Sequence, residues 1–382
     1  MRYRRRLAML TLVPAVLATS TPAAASPVGH SACGPRVLVS SAELPALTLP
    51  EGITAWRGRL FVGTYNYLSP HDNRVFVFDA RDGRLVRTLG GRPGEGLISA
   101  GALLGLTIDR RTGDLYANSN GTGLVLRIRH PDSDHPEVSV VGRFSPGGGP
   151  EDMAFNAQGD LYTSDSNLGL IYRIRRGSGV AELVVGPAGS GAPVSDNGLF
   201  AQRAPGLAPN GLVFSRDFRT LYAANTDTDS VIALDVDRRG NIVGNARTFA
   251  RHPNPDLELF PTGFESIIEP ATRFGATATT PLNGPDGLAL DARGNLWAPS
   301  VFGDNVTVVS GRTGQVRRML GSSQANEGGL LNAPASVTFQ GTCLYATNLG
   351  IFSDGANGNP LLPWSVVVLP AGVPGAGGNG NW

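Results

Sequence analysis

Four oxygen-bearing side chains, Glu51, Glu151, Asn210 and Asp286, each open a copy of one short sequence pattern. Three carboxylates and an amide, with no His or Cys among them, form a hard-oxygen set. Such a set suits one divalent cation of the calcium type better than zinc or copper. Carboxylates brought together need a counter-charge, because burial and mutual repulsion otherwise raise their pKa values and protonate them. The alternative is that these groups face hydrated solvent in a wide channel and bind nothing. The spacing of the residues is compatible with both.

The pattern that positions them recurs six times. It runs through a small residue or Pro, a polar position, an alternating apolar run, a Gly-containing turn, and a Leu-aromatic pair opening a second strand. The copies read EGITAWRGRLFVGT from Glu51, LGLTIDRRTGDLYANS from Leu104, EDMAFNAQGDLYTSD from Glu151, NGLVFSRDFRTLYAAN from Asn210, DGLALDARGNLWAPS from Asp286 and ASVTFQGTCLYATN from Ala335. Their starts lie 53, 47, 59, 76 and 49 residues apart. Most continue into a third β-rich stretch (RVFVFDA, LVLRIRH, LIYRIRR, SVIALDV, NVTVVSG) and often a fourth. Four short strands per unit of about 50 residues predict an all-β, six-bladed β-propeller with antiparallel four-stranded blades. The ring needs closure, and the stretch Pro35 to Ser41 is expected to supply the last strand of blade six. The propeller is assigned to residues 26–370, and the Gly-rich tail 371–382 to a disordered end.

Antiparallel parity fixes the faces. Each inner strand begins, and each second strand ends, on one face of the disc, taken as the top. Glu51, Leu104, Glu151, Asn210, Asp286 and Ala335 are therefore expected around the top of the central channel. Thr64, Ser119, Asp165, Asn225, Ser300 and Asn348 are expected farther out on the same face. The turns at Arg111 to Asp114, Gln158 to Asp160 and Arg293 to Asn295 fall on the bottom, as do His130 and His135. His71, between the second and third strands of blade one, falls on top, either as a proton shuttle or as a solvated loop residue. The long interval before Asp286 places about Arg251 to Leu282 over the channel, as an apolar lid or as a clamp on blade edges.

The strings PNGLVFSRDFRTLYAANTDTDSVIALDVD from Pro209 and PDGLALDARGNLWAPS from Pro285 resemble the senescence marker protein, gluconolactonase and luciferin-regenerating enzyme family of six-bladed propellers. The resemblance extends over all six repeats, roughly residues 35 to 370, and is strongest in blades four and five. It implies one divalent cation, usually calcium, held by an early Glu, the Asn of Pro-Asn-Gly and the Asp of Pro-Asp-Gly. Those positions are Glu51, Asn210 and Asp286, the residues that parity sends to the top of the channel. One departure stands out: where the family has Asn-Asp in blade three, this chain has Glu151-Asp152. The resemblance further implies a metal-dependent hydrolase that opens a small lactone or related ester, with Asp286 or Glu151 as the base or with a metal-site carboxylate attacking directly. A noncatalytic NHL-like binding propeller and a strictosidine-synthase-like condensing enzyme are the competing readings.

Composition narrows the field. The 32 basic residues nearly balance the 31 acidic ones, leaving a formal charge of +1 without the one-signed field that nucleic acid partners select. Every basic residue is Arg, so lysine Schiff-base and P-loop chemistry are excluded. Arg2, Arg4, Arg5 and Arg6, the apolar stretch Leu7 to Ala18 and the small residues ending at Ala25 read as an export signal over residues 1–25, by either the general or the twin-arginine route. No later run approaches the roughly 20 apolar residues of a membrane span. The expected product is a secreted monomer with its two cysteines, Cys33 and Cys343, joined across the ring closure.

Overall fold

The structure, a computed structural model, describes residues 33–43, 48–66, 73–90, 101–200, 207–253, 281–321, 329–350 and 364–376. Six sheets of antiparallel strands account for them, five built from strands that follow one another in sequence and the sixth joining the first strand of the chain to the last three. Their inner strands are Thr48–Trp56, Leu103–Asp109, Pro150–Phe155, Leu212–Phe214, Ala289–Leu290 and Pro334–Gln340. The six-bladed propeller is thus the observed architecture. The third sheet carries an additional two-residue strand, Val194–Ser195, parallel to Ala181–Gly186. Among the described residues the only helical element is a 3-10 turn, Ser41–Glu43.

The recurring Leu-aromatic pair explains why the blades stack. Its aromatic ring leaves the second strand of one blade and meets the inner strand of the next. Tyr116 packs edge-on against Phe155 at 5.1 Å, Tyr162 against Phe214 at 5.3 Å, and Trp297 against Phe339 at 5.2 Å. Each such pair adds ~0.5–1.5 kcal/mol beyond the area it buries. Polar tips do related work: the Tyr222 hydroxyl donates to Gly311 O at 3.0 Å, and the Tyr345 hydroxyl to Ala80 O at 2.8 Å. The last contact joins blade six to blade one, so one sequence motif both stacks the ring and helps close it.

Closure is completed by the chain ends. The strand Arg36–Val39 pairs antiparallel with Ser365–Pro370, making the N-terminal segment the outer strand of blade six. Cys33 and Cys343 are disulfide-bonded beside it, 310 residues apart in sequence. The tail differs from expectation as far as Ala376. Ala371, Val373 and Ala376 are buried, and backbone bonds tie the segment to Thr342, Gly341, Leu290 and Ala292. Its apolar residues find a groove between the bottom turns of blades five and six, which a reading based on glycine content overlooks. Residues 377–382, the expected leader, His71, and most of the expected lid (254–280) lie outside the described residues.

Candidate functional site

The residues that open the repeats do converge. Glu51, Leu104, Glu151, Asn210 and Asp286 line one small cavity together with Gly52, Gly105, Asp152, Gly287 and Ser336. Blade six contributes Ser336 rather than the expected Ala335, which is fully buried and accepts the Gly287 N–H through its carbonyl. The cavity volume is about 10 Å³, room for one water-sized or ion-sized occupant. Among the described residues, no basic side chain lines it.

Local backbone irregularity aims these side chains. The pairing register slips between Pro50 and Ile53, Leu103 and Leu106, Pro150 and Met153, and Pro334 and Val337. Glu51, Leu104, Glu151 and Ser336 therefore sit on β-bulges, devices that redirect a side chain out of the strict alternation of a strand. Four glycines follow the opening residues, at 52, 105, 211 and 287, and let neighbouring blades approach closely. A Cβ on Gly52 would lie 1.7 Å from Leu104 O, and one on Gly211 would lie 2.3 Å from Asp286 O. In blade three this slot is Asp152. Its Oδ2 reaches across to accept the Leu212 N–H at 2.8 Å, so a carboxylate secures blade three to the inner strand of blade four.

Asn210 is oriented by a chain of two hydrogen bonds. The Thr226 hydroxyl donates its single proton to Pro285 O at 2.7 Å. It can then only accept from Asn210, whose Nδ2 lies 3.2 Å away. This fixes the amide flip and leaves Asn210 Oδ1 as the free acceptor. Glu151 is anchored through one oxygen: Oε2 accepts from Ser166 Oγ at 2.9 Å and from Asn120 Nδ2 at 3.3 Å. The Glu51 carboxylate has no hydrogen-bond partner among the described residues.

Electrostatics follow from that crowding. Burial pushes the Glu51 and Asp152 carboxyls up to about 7. Burial also holds Glu151 well above the ordinary carboxylate range, reinforced by the charge of Glu51. Asp286 is raised by burial and then by Glu51, Glu151 and Asp152. Two carboxylates and a pre-oriented amide oxygen, with a third carboxylate alongside, fit the donor preference of a hard divalent ion. Among the described residues, no three or more His, Cys, Asp or Glu side chains are grouped to hold a metal ion. The second-strand ends play another part. Asp165 Oδ1 accepts the Gly149 N–H at 2.9 Å, and Asn348 Oδ1 accepts the Asn332 N–H at 3.1 Å. They pin loops on the top face. His130 and His135 are exposed in a surface turn.

In the sequence Asp152 stands out only as part of a departure from the family pattern, and Thr226 and Ser336 do not stand out at all. Asp152 carries a usable signal, since it stands where four other repeats have glycine. Thr226 has none, because its role depends on the approach of blade five.

The sequence profile of the SMP-30/Gluconolactonase/LRE-like region matches residues 49–326. No curated protein matches the chain. Among solved structures, a luciferin-regenerating enzyme shares 16% identity with a TM-score of 0.58, covering 91% of this chain and 99% of that one. Regucalcin from Agrobacterium tumefaciens, described as a calcium-binding protein, shares 17% identity with a TM-score of 0.57, covering 90% and 95%. A gluconolactonase from Xanthomonas campestris shares 18% identity with a TM-score of 0.54, covering 89% and 95%. These likenesses agree with the propeller described above, and the profile match over most of the chain establishes that this protein belongs to the SMP-30/gluconolactonase/LRE-like family.

Proposed function

We propose that the protein is an exported hydrolase that opens a lactone or related ester at the top of the propeller channel, with one divalent cation as cofactor. The observation that carries this reading is the convergence of Glu51, Glu151, Asn210 and Asp286 on a cavity sized for a single ion, with no cationic side chain among the described residues that line it. Glu51, Asp286 and Asn210 Oδ1 would hold the cation, calcium by analogy with the calcium-binding relative. When bound, it neutralises the facing carboxylates and polarises an acyl oxygen as a Lewis acid.

The chain's own residues supply the proton chemistry. Glu151 is held through Oε2, which leaves Oε1 to accept a proton from the attacking water. Water oxygen bonds to the acyl carbon, the ring C–O bond breaks, and the proton passes on to the departing alkoxide to give a hydroxy acid. Asp286 is the alternative base on the same cavity wall. Export is supported by the leader-like N-terminal sequence and by the Cys33–Cys343 disulfide, which suits an oxidising compartment.

The test is Asp286→Asn assayed against a panel of sugar, aliphatic and aromatic lactones with added calcium. Turnover should fall by about two orders of magnitude or more while the circular dichroism spectrum is retained. Glu151→Asn, which restores the family's residue, abolishes activity if Glu151 is the base and preserves or raises it if Asp286 is. If wild type and Asp286→Asn are indistinguishable on every lactone and ester tried, a noncatalytic binding propeller replaces the hydrolase.

A further inference from the structure

The bottom face holds a second cavity with inverted chemistry. It has a volume of about 290 Å³ and is lined at the bottom by Trp56, Arg57, Arg110, Phe339, Gln340 and Gly375, among others. The Arg57 and Arg110 guanidinium groups lie 5.1 and 5.2 Å from the centre of the Trp56 ring. Arg57 is exposed and Arg110 half-buried; neither has a hydrogen-bond or ion-pair partner among the described residues, and the indole N–H of Trp56 has no acceptor there. The adjacent carboxylate, Asp109, is committed to Arg111, with Oδ1 3.0 Å from Nε. Gln340 buries its Oε1, so the acceptor end of that amide is withheld from the cavity. Among the described residues, the side chains facing the cavity therefore offer donors and positive charge and no carboxylate.

Two further features show that this arrangement is costly. Arg110 is partly buried, and desolvation with no compensating anion lowers its pKa. Arg57 occupies a hairpin position at φ 46°, followed by Gly58 at φ 81°. A two-residue turn with both φ values positive favours Asn or Gly at its first position, and Arg there is strained. The backbone tolerates this strain where a guanidinium faces the cavity.

We propose that this bottom cavity binds a small oxyanion, a phosphate or carboxylate group, through the guanidinium groups of Arg57 and Arg110, which both pack against the Trp56 ring. Such an anion takes up the unspent guanidinium donors through charge-assisted hydrogen bonds, for which planar Arg forks are suited. The site is separate from the acidic top cavity and does not depend on what that cavity does.

The test is calorimetric titration of the intact protein with inorganic phosphate and, in a separate arm, with acetate. Saturable binding of one anion per chain is expected, and the tighter arm identifies the group recognised. Arg57→Gln and Arg110→Gln should each weaken binding by about tenfold or more, the scale of a lost hydrogen bond to a charged group. Arg312→Ala, at an exposed arginine outside the cavity, and Asp286→Asn, at the top site, should leave it unchanged. Thermal melting of each variant shows that the fold is kept. Absence of saturable binding in both arms, or equal binding by wild type and the folded Arg57→Gln/Arg110→Gln double variant, would overturn the proposal.

Discussion

Two cavities on opposite faces of the disc are built on one backbone plan and carry opposite charge. Each inner strand begins at the top and ends at the bottom, and in blade one the strand Thr48–Trp56 carries Glu51 near one end and Trp56, followed by Arg57, at the other. The top gathers Glu51, Glu151, Asp152 and Asp286, while the bottom presents Arg57 and Arg110. Between them the strands are apolar and interlocked, with Ile53, Leu106, Met153 and Leu212 almost fully buried. The lesson is one of position within a repeat. Middle residues are fixed by packing, so chemistry is concentrated at the strand ends. The ends then differ in what burial does: the top carboxylates are crowded together and their pKa values are raised, while the bottom cavity is lined by guanidinium groups.

The largest stability effect expected from this contrast is at the top. Glu51 and Asp152 keep their protons up to about pH 7 in the folded chain without a cation. In the unfolded chain they release them near pH 4. Between about 4 and 7 the folded state binds more protons than the unfolded one, so stability falls as pH rises through that window. A divalent cation bound to the folded ring reverses the fall above it, by ~2.7 kcal/mol at a hundred times its Kd. Melting curves at pH 5 and pH 8, each with chelator and with calcium, should show the calcium effect confined to pH 8. Equal melting temperatures at pH 8 would count against a cation at these carboxylates.

Ring closure is of similar size. Replacing Cys33 and Cys343 with serine removes a cross-link spanning 310 residues, and such links stabilise by ~2–4 kcal/mol, chiefly through the unfolded chain. Denaturant unfolding of the double variant should show a lower midpoint, with both cavities otherwise intact. An unchanged midpoint would mean that the pairing of Arg36–Val39 with Ser365–Pro370 closes the ring unaided.

A smaller loss is expected at Asp152, the carboxylate in the glycine slot. Asp152→Ala leaves the buried Leu212 N–H without its acceptor, at a cost of ~1–3 kcal/mol. Asp152→Asn can place its amide oxygen in the same position and should lose less. Amide hydrogen exchange at Leu212 reads this directly, with protection falling in the alanine variant and surviving in the asparagine variant. Equal exchange in the two would show that the bond does not secure blade four.

Much of this architecture was legible in the sequence, for a physical reason that also sets its limit. Blade stacking repeats, so Tyr116, Tyr162 and Trp297 announce themselves by recurring after each turn. The opening residues recur similarly, and Glu51, Glu151, Asn210 and Asp286 could be sent to one place by strand parity alone. Parity assumes unbroken alternation, however, and four of the six inner strands carry a bulge at that point, which is why Ser336 rather than Ala335 faces the cavity. Contacts made between blades by non-repeating residues leave no periodic trace. The Thr226 hydroxyl that orients Asn210 is one case, and the apolar packing of Ala371 to Ala376 against blades five and six is another.

The smallest effect bears on the bottom cavity, where stability and binding are expected to move in opposite directions. Arg57 and Gly58 form the turn between the strands Thr48–Trp56 and Arg59–Asn66, and both have positive φ. Asn tolerates that conformation better than Arg, because its short polar side chain can hydrogen-bond locally. Arg57→Asn should therefore stabilise the protein by ~0.5–1 kcal/mol, the scale of relieving one unfavourable backbone position. The same change removes one guanidinium from the face of Trp56, so phosphate binding should weaken. A purely structural arginine would give a different result, because its replacement by a better turn former would raise the melting temperature and leave phosphate titrations unchanged. If Arg57→Asn lowers the melting temperature instead, the packing of the Arg57 stem over Trp56 outweighs the strained turn, and the reason for arginine at this position is the indole face rather than an anion.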